Sequence, residues 1–437
     1  MSRFALPAVL GFDLFRQADA DTLLSIYREL FFRIATCEKE LFIFAEGGFR
    51  PGEVLSEMDA ALQRWPSPAS RPPLFGVPVG IKDVFRTSGY AIRCGSLLPS
   101  SQFAGEEAPL VTHLREQGAI VMGIAASTEF TYAEPAATRN PCNRRHTPGG
   151  SSSGSAAGVR AGYFPLALGT QTMGSVIRPA AFCGVVGCKP SQGLLSGEGS
   201  VKFSPSLDQA GFFCSNHQDA ATVLSLFCPQ PARKRKASAL FIVPDDAYMN
   251  EAEPAMRRAF DQYCERLLRQ PRVQIRTMPV FDDWEGVKSR HQQVVAAELA
   301  QVHRTWFAEF GPLYRQKTRE FIEFGQTVGA SALEAGLASC AALRQHLDGL
   351  LRRTKADAFL APAATGEAPK GYASTGNPVM NVPWTHAGLP VLGLPIGTGL
   401  NDLPLAVQAV GRFGRDANLM ALAHVLKTAA SPMRCIP

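Results

Sequence analysis

A stretch rich in glycine, serine and alanine, residues 147–162, passes without a break into apolar sequence. From Ala156 to Leu168 the only charge is Arg160. A flexible linker of this composition would stay solvated and would be flanked by polar residues. Glycines also allow neighbouring backbone to approach closely. The stretch therefore predicts a packed, glycine-rich centre of the fold rather than a connection over the surface.

Composition excludes several classes of protein. The chain has 437 residues, 46% of them hydrophobic, and a formal charge of +6, which is too small to indicate a dedicated nucleic-acid surface. No run of about 18 apolar residues predicts a membrane span, and the amino terminus lacks a signal-peptide cleavage site. The ten cysteines form no CxxC pair. This argues against zinc and a disulfide framework and favours a reducing cytoplasm.

Hydrophobic periodicity predicts alternating helices and strands, with no internal repeat. A buried strand within residues 75–84 is predicted to end at Lys82 and Asp83, and we expect Asp83 to bond nearby backbone. The basic run 233–236 is predicted to be a solvated loop rather than a nuclear-localisation signal. Helical sequence is predicted at 20–63, 110–118, 251–270, 283–351 and from Asp416 onward. The other predicted strands are 120–124, 240–243, one around Phe359, 391–394 and 405–410.

Three sequence islands carry candidate chemistry: GVPVGIKDVF at 76–85, TPGGSSSGSAAG at 147–158 and LGTQTMGSVIRPAAFCGVVGCKPS at 168–191. A lysine that ends an apolar strand either reaches water or is buried, and burial lowers its pKa toward a neutral amine. Taken alone, Lys82 fits an ordinary surface lysine better than a catalytic base.

Two serines stand in turns suited to a nucleophile. Ser151 and Ser175 each follow a glycine, and a serine nucleophile needs a base within hydrogen-bond reach. The backbone N–H groups of Thr172, Met173 and Gly174 are candidates to stabilise a developing oxyanion.

The order and spacing of the islands resemble the amidase signature family, which has a Ser–cisSer–Lys triad. The resemblance covers a core of about 75–196 and resumes at 377–389 and 403–419, whereas the helical region of about 230–355 is poorly matched. It implies an α/β fold: a single large domain, residues 1–437, with a central mixed β-sheet covered by helices on both faces.

The resemblance also implies a mechanism. Neutral Lys82 takes a proton through Ser151 from Ser175, which attacks the amide carbonyl and forms an acyl-enzyme. The Gly150–Ser151 peptide is cis in this family. The implied activity is hydrolysis of a small-molecule carboxamide to a carboxylate and ammonia or amine, with no cofactor, metal, nucleic acid or membrane. The expected partner is the small-molecule amide substrate, and the protein partner compatible with a free-standing amidase is a second copy of the chain, in a homodimer.

Some residues depart from the family pattern. Gln171 matches one of two common choices, Met173 replaces a small residue and is expected to strain a positive φ and narrow the pocket, and Ile124 replaces a common lysine. Arg178 follows the nucleophile by three positions, as in malonamidase-like free-standing amidases, where it grips a substrate carboxylate. The alternative for Arg178 is a structural role, bonding backbone carbonyls.

Other functions compete with this one. The GSSSG at 150–154 fits an α/β-hydrolase elbow with Ser152 as nucleophile, but polar, turn-like sequence precedes it where that motif needs a strand. No Gly-Lys-Ser/Thr follows to make a phosphate loop. An amidotransferase A-type subunit that delivers ammonia to a misacylated tRNA would share the triad, although Gln171 and the Val176-Ile177-Arg178 order fit free-standing amidases better. A non-catalytic scaffold is a further alternative.

Overall fold

One ten-stranded sheet runs through the computed structural model, which describes residues 6–7, 9–228 and 238–433. The predicted loop at 233–236 lies outside the described residues. The strands are β1 (Pro78–Lys82), β2 (Ile120–Ala125), β3 (Leu166–Gln171), β4 (Val186–Lys189), β5 (Gln209–Cys214), β6 (Ala239–Pro244), β7 (Val273–Met278), β8 (Ala358–Pro362), β9 (Val391–Thr398) and β10 (Pro404–Val410).

The sheet is mixed, in the order β2-β1-β3-β5-β4-β9-β10-β8-β6-β7. Pairing is parallel among β2, β1 and β3 at one end and among β8, β6 and β7 at the other. The strands between are antiparallel. Six strands are buried at every position, which requires cover on both faces. The predicted α/β fold with a central mixed sheet is confirmed.

Helices supply that cover. They are α1 (Phe12–Arg16), α2 (Ala20–Leu41), α3 (Pro51–Arg64), α4 (Pro109–Glu116), α5 (Ser153–Arg160), α6 (Ile177–Cys183), α7 (His217–Ser225), α8 (Pro254–Leu268), α9 (Trp284–Val302), α10 (Arg304–Phe310), α11 (Gln316–Thr327), α12 (Ala330–Thr354), α13 (Val382–His386), α14 (Asp416–Met420) and α15 (Ala423–Thr428). None of those in the described part of the chain has the length and apolar character that crossing a bilayer requires.

The glycine-rich stretch packs at the centre, as predicted. Helix α5 is buried from Ser153 to Val159 and contacts β1, β2, β3 and β5. A side chain at Gly158 or Gly80 would collide with the ring of Phe164, so both positions require glycine for close packing. The predicted strand that ends at Lys82 is β1, and its parallel neighbours β2 and β3 bring other strand ends to the same edge.

Both long segments of predicted helical sequence are divided into several helices. Residues 20–63 form α2 and α3, because Phe42 ends α2 in the left-handed conformation (φ 50°) and Pro51 begins α3. Residues 283–351 contain α9, α10, α11 and most of α12. Strands β3, β4 and β5, which the periodicity did not single out, complete the sheet beside β1.

Candidate active site

Lys82 ends β1 with its amine fully buried. Nζ lies 2.6 Å from Ser151 Oγ and 2.7 Å from Thr170 Oγ1. Burial lowers the pKa of Lys82 from 10.5 to about 7, against the opposing effect of Asp208 and other acidic groups. A large fraction of the amine is therefore neutral near neutral pH, and a neutral amine can accept a proton from a hydroxyl.

Ser151 begins the segment that leads into α5. The Gly150–Ser151 peptide is cis, as the resemblance implied. Ser151 is buried, and its carbonyl accepts the N–H of Thr128 at 3.1 Å. Gly150 has no room for a side chain, because a Cβ there would lie 2.7 Å from Thr375 Cγ2. These contacts hold the hydroxyl beside Lys82.

Ser175 lies in the turn between β3 and α6, and Gln171 braces this turn. Gln171 Oε1 accepts the N–H groups of Val176 (2.9 Å) and Ile177 (3.0 Å), which have no carbonyl partner at a helix start. Gln171 Nε2 donates to Thr385 Oγ1 at 2.9 Å. The amide side chain thus ties the first turn of α6 to the end of β3, with Ser175 between them.

Thr385, from α13, holds the other side of the same turn. Its hydroxyl lies 2.9 Å from the carbonyl oxygen of Met173. Because C=O and N–H point in opposite directions in a trans peptide, the N–H of Gly174 points away from Thr385. The N–H groups of Thr172, Met173 and Gly174 make no hydrogen bond to another described residue. They are available to a ligand.

A cavity of about 290 Å³ opens in front of Ser175. The Ser175 hydroxyl makes no hydrogen bond within the described part of the chain. The turn, the neighbourhood of Tyr132, helix α11 and the segment near residue 375 all contribute walls. The lining residues are Thr131, Tyr132, Ala133, Thr172, Met173, Ser175, Arg178, Phe203, Lys317, Ser374, Thr375, Gly376 and Pro378.

Arg178 lies beneath this cavity and is 4% exposed. Its guanidinium donates to the carbonyl oxygens of Gly150 (2.7 Å) and Gly376 (2.9 Å) and to Thr375 Oγ1 (3.2 Å). Nε has no partner among the described residues. Burial lowers the pKa of Arg178 to about 9, so the side chain stays charged at neutral pH. These hydrogen bonds to backbone carbonyls are the ones expected if Arg178 has a structural role.

The departures from the family pattern have local explanations. Met173 is not among the non-glycine residues with positive φ, so the expected strain there is wrong, although its side chain does line the cavity. Ile124 is buried in β2 opposite Ile81. The structural prediction for Asp83 is confirmed, since its carboxylate accepts the N–H groups of Arg93 (2.7 Å) and Gly95 (2.9 Å).

Three contributors were missed by the sequence reasoning: Thr170 beside Lys82, Thr385 beside Gln171, and Asp208, which accepts from Thr172 Oγ1 at 2.5 Å. Thr170 lay within a recognised island but resembled any strand threonine. The other two lie far from their partners in sequence. Among the described residues, no group of three or more His, Cys, Asp or Glu side chains is arranged to hold a metal ion.

Comparison with known proteins identifies the family. A family model described as Amidase matches residues 51–420. The chain belongs to the amidase family. As an amidase it is an amide-hydrolysing enzyme, and the resemblance to the amidase signature family is confirmed.

Relatives include both proteins named as amidotransferase subunits and a protein named simply as an amidase. The A-type subunit of glutamyl-tRNA(Gln) amidotransferase from Oleidesulfovibrio alaskensis is 30% identical over 412 residues, covering 81% of this amidase and 84% of the relative. A solved amidase structure has 27% identity and a TM-score of 0.84 over 95% of this chain and 97% of its own. The corresponding amidotransferase protein of Thermotoga maritima, at 24% identity and a TM-score of 0.78 over 98% of each chain, establishes likeness of fold.

Proposed function

We propose that this amidase hydrolyses a small-molecule carboxamide to a carboxylate and ammonia or amine through an acyl-enzyme on Ser175. The proposal is supported by the buried amine of Lys82, whose pKa is lowered to about 7 and which lies 2.6 Å from Ser151 Oγ. Ser175 lines a cavity that can hold a small substrate. An activated serine requires a base of this kind.

The reaction has two halves. In the first, Ser175 Oγ attacks the amide carbon, its proton passes to Ser151, and the Ser151 proton passes to Nζ of Lys82. The N–H groups of Thr172, Met173 and Gly174 stabilise the oxyanion. The relay then protonates the leaving nitrogen as the C–N bond breaks. In the second half, water attacks the ester by the same route and releases the carboxylate.

The Ser175 hydroxyl has no hydrogen bond to a described residue, so its contact with Ser151 has to close when a substrate enters. Catalytic hydrogen bonds commonly tighten only in the substrate complex. The brace formed by Gln171 limits how far the turn can move, because two N–H groups of the turn are fixed to one amide oxygen.

The decisive variant is Ser175→Ala. We expect it to abolish ammonia release from every amide in a panel, with Lys82→Ala nearly as damaging and Ser151→Ala somewhat less, since water can partly replace a bridging hydroxyl. A fluorophosphonate should label wild-type Ser175, located by peptide mass spectrometry. Near wild-type turnover in Ser175→Ala on a confirmed substrate would refute the assignment.

Arg178 can act by positioning nearby backbone or by anchoring a substrate carboxylate, and the two roles can be separated by experiment. Three of its five N–H donors bond the protein, which supports a positioning role for Gly150 and residues 375–376. If it also anchors a substrate carboxylate, as in malonamidase-like enzymes, Arg178→Ala should raise KM only for acidic amides, such as dicarboxylic acid monoamides, and Arg178→Lys should rescue poorly. Equal loss on acidic and neutral amides, with lower thermal stability, would leave only the positioning role.

A second candidate function is that of an amidotransferase A-type subunit, because curated relatives over four-fifths of the chain carry that name. In that role the ammonia would be transferred to a misacylated tRNA with partner subunits. An activity assay of the isolated chain distinguishes the free-standing amidase from the amidotransferase subunit. Release of ammonia from small amides without any partner supports the free-standing amidase, whereas activity that appears only with co-purifying subunits supports the amidotransferase.

A further inference from the structure

The cavity in front of Ser175 is lined by two positively charged side chains, Arg178 and Lys317, and by no aspartate or glutamate of the described residues. The remaining lining is uncharged. A cleft lined by charge of one sign attracts ligands of the opposite sign. The lining therefore favours an anionic substrate over a neutral one.

Lys317 enters the cavity from the first turn of α11. Its backbone N–H donates to Glu134 Oε1 at 2.8 Å, which fixes the start of the helix. Its half-buried ammonium donates to the carbonyl oxygen of Ala373 at 2.7 Å and makes no ion pair with another described residue. An ammonium has three donors, so a carboxylate can bind Lys317 by adding to or replacing this neutral partner.

The segment 373–376 contacts both positively charged side chains, Lys317 and Arg178. Lys317 bonds Ala373 at one end, and Arg178 bonds Gly376 at the other. Three residues span at most roughly 10 Å. Arg178 is buried and three positions from the nucleophile, whereas Lys317 is half exposed. Lys317 thus marks the outer part of the cavity.

An aromatic wall lies beside Lys317. Phe321 follows it by four positions on α11, hence on the same helix face. Its ring stacks on Tyr132 with centroids 4.2 Å apart, and Tyr132 stacks on Phe203 at 5.7 Å. Tyr132 and Phe203 both line the cavity. This wall suits an apolar spacer between the scissile amide and a terminal charge.

We propose that Lys317 is a specificity-determining residue that binds a substrate carboxylate separated from the scissile carbonyl by an apolar spacer. This inference rests on the proposed amide hydrolysis at Ser175. The carboxylate can belong to the acyl part or to the leaving amine, and both present the same chemistry to the ammonium.

The test measures kcat and KM for wild type, Lys317→Met and Lys317→Arg. One substrate series is the monoamides of malonic, succinic, glutaric and adipic acids, another is N-acetyl amino acids, and hexanamide is the neutral reference. We expect Lys317→Met to raise KM about two- to fivefold for the longer acidic members of one series, with kcat little changed. Lys317→Arg should keep KM for the acidic amides close to the wild-type value, because the positive charge is retained. In wild type, added salt should raise KM for the acidic amides.

Lys39→Met, which removes an exposed lysine elsewhere, is the matched control and should change no substrate's KM. A KM increase confined to the dicarboxylic acid monoamides assigns the carboxylate to the acyl part of the substrate. A KM increase confined to the N-acetyl amino acids assigns it to the leaving amine. An equal KM increase for hexanamide, or an unchanged KM for every acidic amide, would overturn the role of Lys317. Fluorophosphonate labelling of Ser175 reports on the proposed function separately: if labelling and all amide hydrolysis fail in wild type, the function itself is wrong.

Discussion

Lys82 carries its amine out of contact with solvent, between the hydroxyls of Ser151 and Thr170. In the proposed relay, its protonation state sets the pH range of activity, because only the neutral amine accepts a proton. Burial alone disfavours the ammonium, so no neighbouring cation is needed to make the amine neutral.

The pH dependence of kcat/KM should therefore have an acid limb from Lys82. With a pKa of about 7, the neutral form is lost as pH falls, so kcat/KM should decline about tenfold per unit below roughly pH 6 and level off in the alkaline range. Initial rates on a slowly reacting amide, from pH 5 to 9, measure this. A flat profile with chemistry limiting would count against lysine as the base.

Thr170→Val should move that limb. The Thr170 hydroxyl accepts a hydrogen bond from Lys82 Nζ at 2.7 Å and so stabilises the ammonium. Removing it favours the neutral form, and the acid limb should shift to lower pH while kcat falls because the amine is less well oriented. Thr170→Ser keeps the hydroxyl and serves as the control. An unmoved limb in the valine variant would mean that the contact does not influence the base.

At the scale of elements, the turn between β3 and α6 is shaped from outside. Gln171 holds the start of α6, and Thr385 of α13 holds the carbonyl of Met173. The proposed oxyanion donors are thus positioned in part by a helix more than two hundred residues further along the chain.

Thr385→Val should lower kcat about ten- to a hundredfold with little change in KM, because misplacing backbone donors mainly affects the transition state. It also leaves the Gln171 amide without its partner, at a cost of about 1–3 kcal/mol in the free energy of unfolding. Thr385→Ser should stay near wild type in both respects. Steady-state kinetics and urea unfolding of Thr385→Val and Thr385→Ser test whether Thr385 positions the turn. An unchanged kcat in Thr385→Val would exclude this role.

Sequence reasoning located the elements whose pattern is local. The apolar run before Lys82 and the glycine-rich approach to Ser151 and Ser175 were visible, and the cis Gly150–Ser151 peptide followed from family resemblance. The break after α2 was not, because Phe42 adopts a left-handed conformation that periodicity does not register. Thr385 could not be assigned a role either, since only the tertiary fold brings α13 against the turn.

The whole molecule buries several basic side chains. Besides Lys82 and Arg178, Lys189 at the end of β4 is fully buried, and its Nζ donates to Gln209 Oε1 and to the carbonyl oxygen of Leu389. Burial lowers the pKa of Lys189 to about 7. The unfolded chain therefore binds more protons than the native state above pH 7, and this difference couples stability to pH.

We expect the free energy of unfolding to rise between about pH 7 and 8.5. Each of the two lysines contributes up to about 1.4 kcal/mol per pH unit there, because its native pKa lies below its unfolded value. Above this window buried thiols such as Cys94, whose pKa is raised by burial, act in the opposite direction. Urea unfolding at several pH values measures the slope. Lys189→Met should be less steep than wild type, and an identical slope would contradict the assignment.

The place of β9 in the sheet has a consequence for synthesis on the ribosome. Lys82, Ser151 and Ser175 have all been synthesised by the time β4 is made, yet one edge of β4 is paired only by β9, some two hundred residues later. Until then the nascent chain exposes an unpaired apolar strand edge, a template for association with other chains. We expect production of this amidase to depend on holding chaperones, and fragments that stop before Val391 to aggregate although they contain all three proposed catalytic residues.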